Sequence, residues 1–256
     1  MSEASIDTAR RAIFGRLRSA MPAEQVAPPD VSGYYAQSLP DPAIDRVAHF
    51  IERARGWQAE VIETSSTAWP AALLSVLDSK GVKRLLAGRN TALSATLAAS
   101  VSAERLCWYE QPIEQFKATL FGPSDAGMNS RQSGVVETSD AGITTQGGIV
   151  EAVDAGITTT RGGIVETGSL MVWPNGDEPR TLSLVPPLHI AVLRANELHD
   201  TLYEAMLAQR WSEQLPTNAL LITGPSKTAD IQRLLVYGAH GPKQLVILLI
   251  RDEQPS

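Results

Sequence analysis

The sequence contains very few of the residues from which metal and disulfide sites are built. It has one cysteine, Cys107, and four histidines in 256 residues. One cysteine cannot form an intrachain disulfide, and it cannot supply the roughly four ligands that an iron–sulfur cluster needs. The histidines show no spacing typical of metal ligands; they are His49, His189, His199 and His240. We therefore expect no metal and no cofactor bound by this chain.

An excess of basic charge and a long apolar run are also absent. Lys and Arg total 22 against 28 Asp and Glu, which gives a net charge of −6. This balance argues against nucleic acid as the main partner, because phosphate binding needs clustered basic side chains. No apolar run approaches the ~20 residues of a membrane span, and the N-terminus lacks an apolar signal core. The expected location is the cytoplasm.

Three tandem copies of one short unit occupy residues 124–168. The copies start at Ser124, Ser139 and Val153, a period of roughly 15 residues, which is shorter than that of solenoid repeats. Each has an Asp-Ala-Gly start and a carboxylate after an apolar pair. We expect a tandem insertion within a larger domain, with the first two copies exposed, mobile or in short hairpins. The alternative is a surface loop lengthened by duplication.

The remainder of the chain divides into an arm and a domain. Residues 1–35 are predicted to hold an Arg-rich helix over 5–20 and a Pro-rich linker, and residues 36–256 to form one α/β domain. Helices are predicted to start at Asp41-Pro42 and to cover 69–79 and 91–100. Strands are predicted over 57–64, 82–87 and 105–109. This alternation predicts a mainly parallel sheet in three layers, with helices on both faces.

The C-terminal half mixes strand and helix patterns. Asn175-Gly176 between the strand-like runs 169–173 and 180–185 predicts a hairpin. Apolar runs predict strands over 188–194, 220–223 and 244–250. Helices are predicted from Asn196 to Trp211 and over 231–236.

The loop after residue 223 is the sharpest local signal. Gly224, Ser226, Lys227, Thr228 and Asp230 stand between a predicted strand and a predicted helix. Free N–H groups at a helix start suit an anion, and ligands of α/β folds sit at the carboxyl ends of strands. These five residues are therefore predicted to bind an anion. The alternative is a helix cap formed by Ser226 or Thr228 alone.

A second candidate group centres on an acid and two histidines. Glu166 precedes a glycine turn, so it could act as a base, a nucleophile or an acceptor; its alternative is a solvated turn carboxylate. Thr167, Gly168 and Ser169 complete that turn and are predicted to bind the anionic ligand. His189 is also predicted to bind the ligand; its alternative is a core histidine, because it lies in an apolar strand. His240 lies in a turn, where site residues are common, and is ranked with Glu166 as catalytic.

Four motifs resemble the LUD-domain family of the lactate-utilization protein C type. They are ETGSL (166–170), LSLVPPLHI (182–190), GPSKTADI (224–231) and GAHGP (238–242). The resemblance implies the α/β fold shared by sugar-phosphate isomerases and CoA transferases. It also implies a subunit of an L-lactate oxidation system that converts lactate to pyruvate with iron–sulfur partner proteins. The family usually has one copy of the unit before Glu166, and here there are three.

The expected ligand is a small carboxylate or phosphorylated molecule, bound at the Gly224 loop. Two other functions remain open. The chain could be a free-standing enzyme of the CoA-transferase or isomerase kind that uses Glu166. It could also be a binding or assembly module without chemistry of its own.

Overall fold

The computed structural model describes residues 3–20, 30–31, 33–34, 45–110, 144–145, 148–149, 153–213, 216–229, 235–237 and 241–251. The chain divides into two compact units, Met1–Leu39 and Pro40–Ser256. The first unit contains helix α1 (Glu3–Ala20), which confirms the predicted helix over 5–20. Ile13, Phe14 and Leu17 of this helix are exposed. Within the described part of the chain, every helix is too short or too polar to span a bilayer.

The second unit contains five α-helices, one 3-10 helix and fourteen strands among its described residues. The α-helices are α2 (Arg46–Gly56), α3 (Trp69–Ser79), α4 (Ser94–Ser100), α5 (Thr181–Leu184) and α6 (Leu202–Ala208), and the 3-10 helix is Ala195–Glu197. The strands are β1 (Glu60–Thr64), β2 (Leu85–Gly88), β3 (Leu106–Tyr109), β4 (Thr144–Thr145), β5 (Gly148–Ile149), β6 (Ala155–Thr159), β7 (Gly162–Ile164), β8 (Ser169–Val172), β9 (Leu188–Arg194), β10 (Leu198–His199), β11 (Leu220–Ile222), β12 (Lys227–Ala229), β13 (Leu235–Tyr237) and β14 (Gln244–Ile250).

Six parallel strands form the central sheet, in the order β1-β14-β9-β6-β2-β3. Every neighbouring pair in it is parallel. Strands β9 and β14 lie side by side near one edge and are apolar at most positions, as expected for parallel strands covered on both faces. This arrangement confirms the α/β fold with a parallel sheet.

Alternate residues of the sheet belong to two different cores. Ile190 of β9 and Val246 of β14 pack with Leu73 of α3 on one face. Their neighbours Ala191 and Ile247 pack with α2 on the other face. Helices therefore cover both faces, as predicted.

A second sheet, which the sequence did not predict, shares the face of α2. Its order is β10-β7-β8-β11, with β7–β8 and β8–β11 antiparallel and β10–β7 parallel. Leu170 of β8 and Leu198 of β10 are buried in the same core as Phe50 of α2. The second sheet is thus part of the same domain.

The third copy of the tandem unit belongs to the cores of the domain. It supplies β6 to the central sheet and β7 to the second sheet. A Cβ on Gly156 would lie 2.1 Å from the carbonyl oxygen of Leu182, so only glycine lets the chain around α5 approach β6 this closely. Of the second copy, β4 and β5 form a two-stranded antiparallel pair.

Two helix starts differ from the prediction. Helix α2 begins at Arg46, and Asp45 is its N-cap, because the carboxylate accepts from the N–H groups of Val47 and Ala48. The predicted start at Asp41-Pro42 lies outside the described residues. The predicted cap Asn196 is wrong, since it sits in the 3-10 helix and Thr201 caps α6 by accepting from Glu204 N–H.

Two other predicted elements are wrong. Residues 180–185 form no hairpin strand, because Asn175 Oδ1 accepts from the N–H groups of Asp177 and Glu178 and the chain then enters α5. The predicted helix over 231–236 is wrong at Leu235 and Val236, which belong to β13 and pair antiparallel with β12. Residues 231–234 lie outside the described residues.

Candidate functional site

A cavity of about 210 Å³ lies where the second sheet meets the start of two central strands. It is lined by Ser183 and Leu184 of α5, His189 of β9, Leu245 of β14, residues 221–226, Gly241 and Pro242. His189 and Leu245 are each the second residue of a parallel strand. The cavity therefore lies at the amino-terminal edge of the central sheet.

This position corrects the expectation that the Gly224 loop lies at the carboxyl edge. That expectation assumed that the strand before the loop is part of the parallel sheet. The strand is β11, which instead pairs antiparallel with β8 in the second sheet. The loop consequently faces the starts of β9 and β14.

His189 forms part of the cavity wall and is almost entirely buried, with 1% of its surface exposed. Its Nε2 lies 2.9 Å from Oγ1 of Thr158, which is also buried. Its Nδ1 has no hydrogen-bond partner among the described residues. Burial lowers the pKa of His189 to about 4, so the imidazole is neutral at physiological pH.

The Gly224 loop is held between two other loops. Gly224 has φ +78°, and a Cβ there would lie 2.3 Å from the carbonyl oxygen of Trp57. Ser226 N–H donates to the carbonyl oxygen of Pro242 at 2.9 Å. Glycine is required at 224 for both its φ and this close contact.

The loop predicted to bind an anion is followed by a strand and not by the predicted helix. Lys227 and Thr228 belong to β12, so no helix start follows the loop. The Nζ of Lys227 lies 5.9 Å from the ring centroid of Trp57, and Lys227 does not line the cavity. Asp230 and His240 lie outside the described residues.

The turn after β7 holds the other candidates. Glu166 is exposed, and its N–H donates to the carbonyl oxygen of Asp200 at 3.0 Å. Gly168 has φ +68°, and a Cβ there would lie 2.4 Å from the amide nitrogen of Ala54. The turn is therefore packed on the end of α2, with the Glu166 side chain outside the lining of the cavity.

Three hydroxyl groups connect this turn to the cavity. Thr167 Oγ1 lies 2.8 Å from Ser169 Oγ, which lies 2.6 Å from Thr223 Oγ1. Thr223 lines the cavity. The structure thus brings His189, Gly224 and Ser226 together at the cavity, with Thr167 and Ser169 behind it and Glu166 apart.

Sequence reasoning missed several residues of this site. Thr158, Ser183 and Thr223 were not singled out, although Thr158 is the partner of His189. A signal existed for Thr158, because Ala155 and Ile157 of β6 face one core. Alternation then places Gly156 and Thr158 on the other face of the sheet.

A larger open groove, of about 450 Å³, runs along α2. Val47, Ala48 and Ile51 form its floor, with charged side chains around them. Two of these side chains pair with each other, Arg251 with Glu63 at 3.4 Å. None of the sequence-predicted site residues lines this groove, so the smaller cavity is the candidate site.

The comparisons with known proteins agree on one family. The LUD domain model matches residues 47–250. An uncharacterized protein of Neisseria meningitidis serogroup B is 30% identical over 97% of this chain and 96% of its own length. Lactate utilization protein C of Macrococcus caseolyticus is 31% identical over 64% of this chain and 68% of its length.

Other matches are shorter. Lactate utilization protein C of Anoxybacillus flavithermus is 32% identical over 35% of this chain and 40% of its own length. Among solved structures, a DUF162 family protein from Deinococcus radiodurans superposes with a TM-score of 0.54. The identity is 18%, over 81% of this chain and 99% of that one, so this likeness concerns the fold.

Proposed function

This chain belongs to the LUD domain family, and from that premise we propose that it serves lactate utilization. It acts as a subunit of a cytoplasmic system that oxidises L-lactate to pyruvate with iron–sulfur partner proteins. Two observations support this proposal. Relatives named lactate utilization protein C match the chain, and the candidate cavity suits a small molecule.

The observation that carries the proposal is the size and lining of the cavity. Its volume of about 210 Å³ equals roughly seven water molecules at about 30 Å³ each. Pockets for drug-sized ligands are larger, at about 300–1,000 Å³. A three-carbon acid such as lactate fits this volume.

The redox chemistry belongs to the partners under this proposal. Oxidation of lactate to pyruvate releases two electrons and two protons. The single cysteine of the chain cannot hold an iron–sulfur cluster, which needs about four ligands. In this proposal the electrons pass to iron–sulfur clusters held by other subunits, and this chain binds and positions the small acid.

The rival function, a free-standing enzyme that uses Glu166, gains less support. Glu166 is exposed and does not line the cavity among the described residues. The assembly-module alternative makes no use of the cavity.

The test is capture of the tagged chain from its native host, followed by an assay of L-lactate oxidation. We expect cysteine-rich partners in the captured material and activity that disappears when the tagged chain is absent and returns when it is added back. Leu207→Ala is a matched control, because Leu207 is 60% exposed and lies outside the cavity. Full lactate oxidation by the partners without this chain would contradict the proposal.

A further inference from the structure

The cavity wall contains a single titratable side chain among the described residues. Of the residues that line it, His189 alone can change its charge, and none is Lys, Arg, Asp or Glu. We infer that the cavity takes a small monocarboxylate together with one proton, and that His189 accepts this proton. The inference rests on the proposed function, since it specifies how the same cavity receives its acid.

An anion entering this cavity meets no compensating charge from the described residues that line it. Transfer of an unpaired carboxylate out of water is unfavourable unless it is paired or hydrogen-bonded. The hydroxyl groups of the lining are partly engaged. Ser183 Oγ donates to the carbonyl oxygen of Arg180, and Thr223 Oγ1 lies 2.6 Å from Ser169 Oγ. A proton on the adjacent imidazole supplies the missing positive charge.

The described residues that surround His189 are all uncharged. Thr158 and Gly156 face it from β6, Leu245 from β14, and Ser183 with Leu184 from α5. None of these residues is charged. Among the described residues, therefore, no carboxylate forms an ion pair that would hold the ring protonated in the empty cavity.

One nitrogen of the His189 ring is available for a further hydrogen bond. Nε2 is close to Thr158 Oγ1, and Nδ1 is buried without a partner. A protonated imidazole donates from both ring nitrogens, and an opposite charge within about 4–6 Å favours its charged form. In the empty cavity burial holds the pKa at about 4, so the proton arrives with the anion.

The same charge balance predicts how the cavity distinguishes between classes of ligand. A monocarboxylate is balanced by one proton on one histidine. A phosphate monoester carries about two negative charges at neutral pH and exceeds what a single imidazole can balance. An uncharged diol of similar size needs no proton at all.

The experiment is calorimetric titration of the full chain between pH 5 and 8, in buffers with different heats of ionisation. The probes are L-lactate, 1,2-propanediol and phosphoglycolate. We expect lactate binding to take up a proton fraction that rises toward one as the pH falls, with affinity changing by up to tenfold per pH unit. Propanediol should bind without uptake, and phosphoglycolate at least tenfold more weakly than lactate.

Two variants identify the group that accepts the proton. His189→Gln should abolish both the uptake and the pH dependence of lactate affinity, and Thr158→Val should reduce them. His199→Gln, which changes a half-buried histidine outside the cavity, should leave both unchanged. If a variant does not fold, the absence of proton uptake by the wild type still overturns the inference.

The inference and the proposed function fail in different ways. Lactate that binds and is oxidised by the captured assembly, yet without proton uptake at any pH, overturns the inference alone. Uptake that survives His189→Gln also overturns it. An assembly that oxidises lactate without this chain overturns the proposed function, whatever the proton count.

Discussion

Acidification should destabilise this protein through His189 in particular. The histidine has an ordinary pKa of 6.5, and burial lowers it to about 4 in the folded chain. Between these values the unfolded chain binds the proton and the folded chain does not, so stability falls as the pH drops from 6.5 toward 4. At pH 5 this linkage amounts to about 2 kcal/mol relative to neutral pH, at about 1.36 kcal/mol per pKa unit.

Urea unfolding of the ligand-free chain at pH 7.5 and pH 5 measures this effect. His189→Gln places a non-titrating amide in the same position, so its loss of stability between the two pH values should be smaller by about 2 kcal/mol. The comparison removes the contribution of the carboxylates, which both proteins share. Equal losses in the wild type and the variant would refute the reasoning.

Three further changes test the packing. Gly156→Ala should lower the free energy of unfolding by about 1–3 kcal/mol in chemical denaturation, because its Cβ meets the Leu182 carbonyl. Gly56→Ala, with open space around it, should instead raise this free energy by about 0.5–1 kcal/mol. Burial raises the pKa of Glu178, so its charged form is disfavoured, and Glu178→Gln should stabilise the protein at pH above that pKa in thermal melts. Deletion of residues 124–152 should preserve a single cooperative transition, since β6 and β7 come from the remaining copy; its loss would place the first two copies in the core.

The central strands could be predicted from the sequence because their apolar runs depend on no distant partner. β9 and β14 occupy residues 188–194 and 244–250 as predicted, and α3 occupies 69–79. A strand covered on both faces is apolar at nearly every position, so its limits are visible as changes in polarity.

The wrong predictions concern segments whose local sequence pattern indicates one structure while contacts with another segment of the chain produce a different one. Asn175 turns the chain by accepting from two backbone N–H groups, and the next residues form α5 on β6 instead of a hairpin strand. Leu235 and Val236 were predicted to end a helix, although they belong to β13 and pair with β12. Neither partner can be identified from the local sequence.

The site was predictable in its residues more than in its geometry. His189, Gly224 and Ser226 were selected separately and meet at one cavity. The pairing of His189 with Thr158 depends on the register of β6 and β9, in which Gly156 lies opposite His189. The placement of the loop depends on β11 joining the second sheet, and no pattern within the loop indicates that.

The most direct test of the account is L-lactate oxidation by the captured assembly with its cavity blocked. Thr223 is exposed and lines the cavity, so Thr223→Trp should fill the opening without disturbing the core. Thr223→Val keeps the shape and removes the hydroxyl. We predict that the tryptophan variant still captures its partners but loses at least tenfold in lactate oxidation, while the valine variant retains most activity. Unchanged oxidation with tryptophan at position 223 would contradict the claim that lactate binds in this cavity.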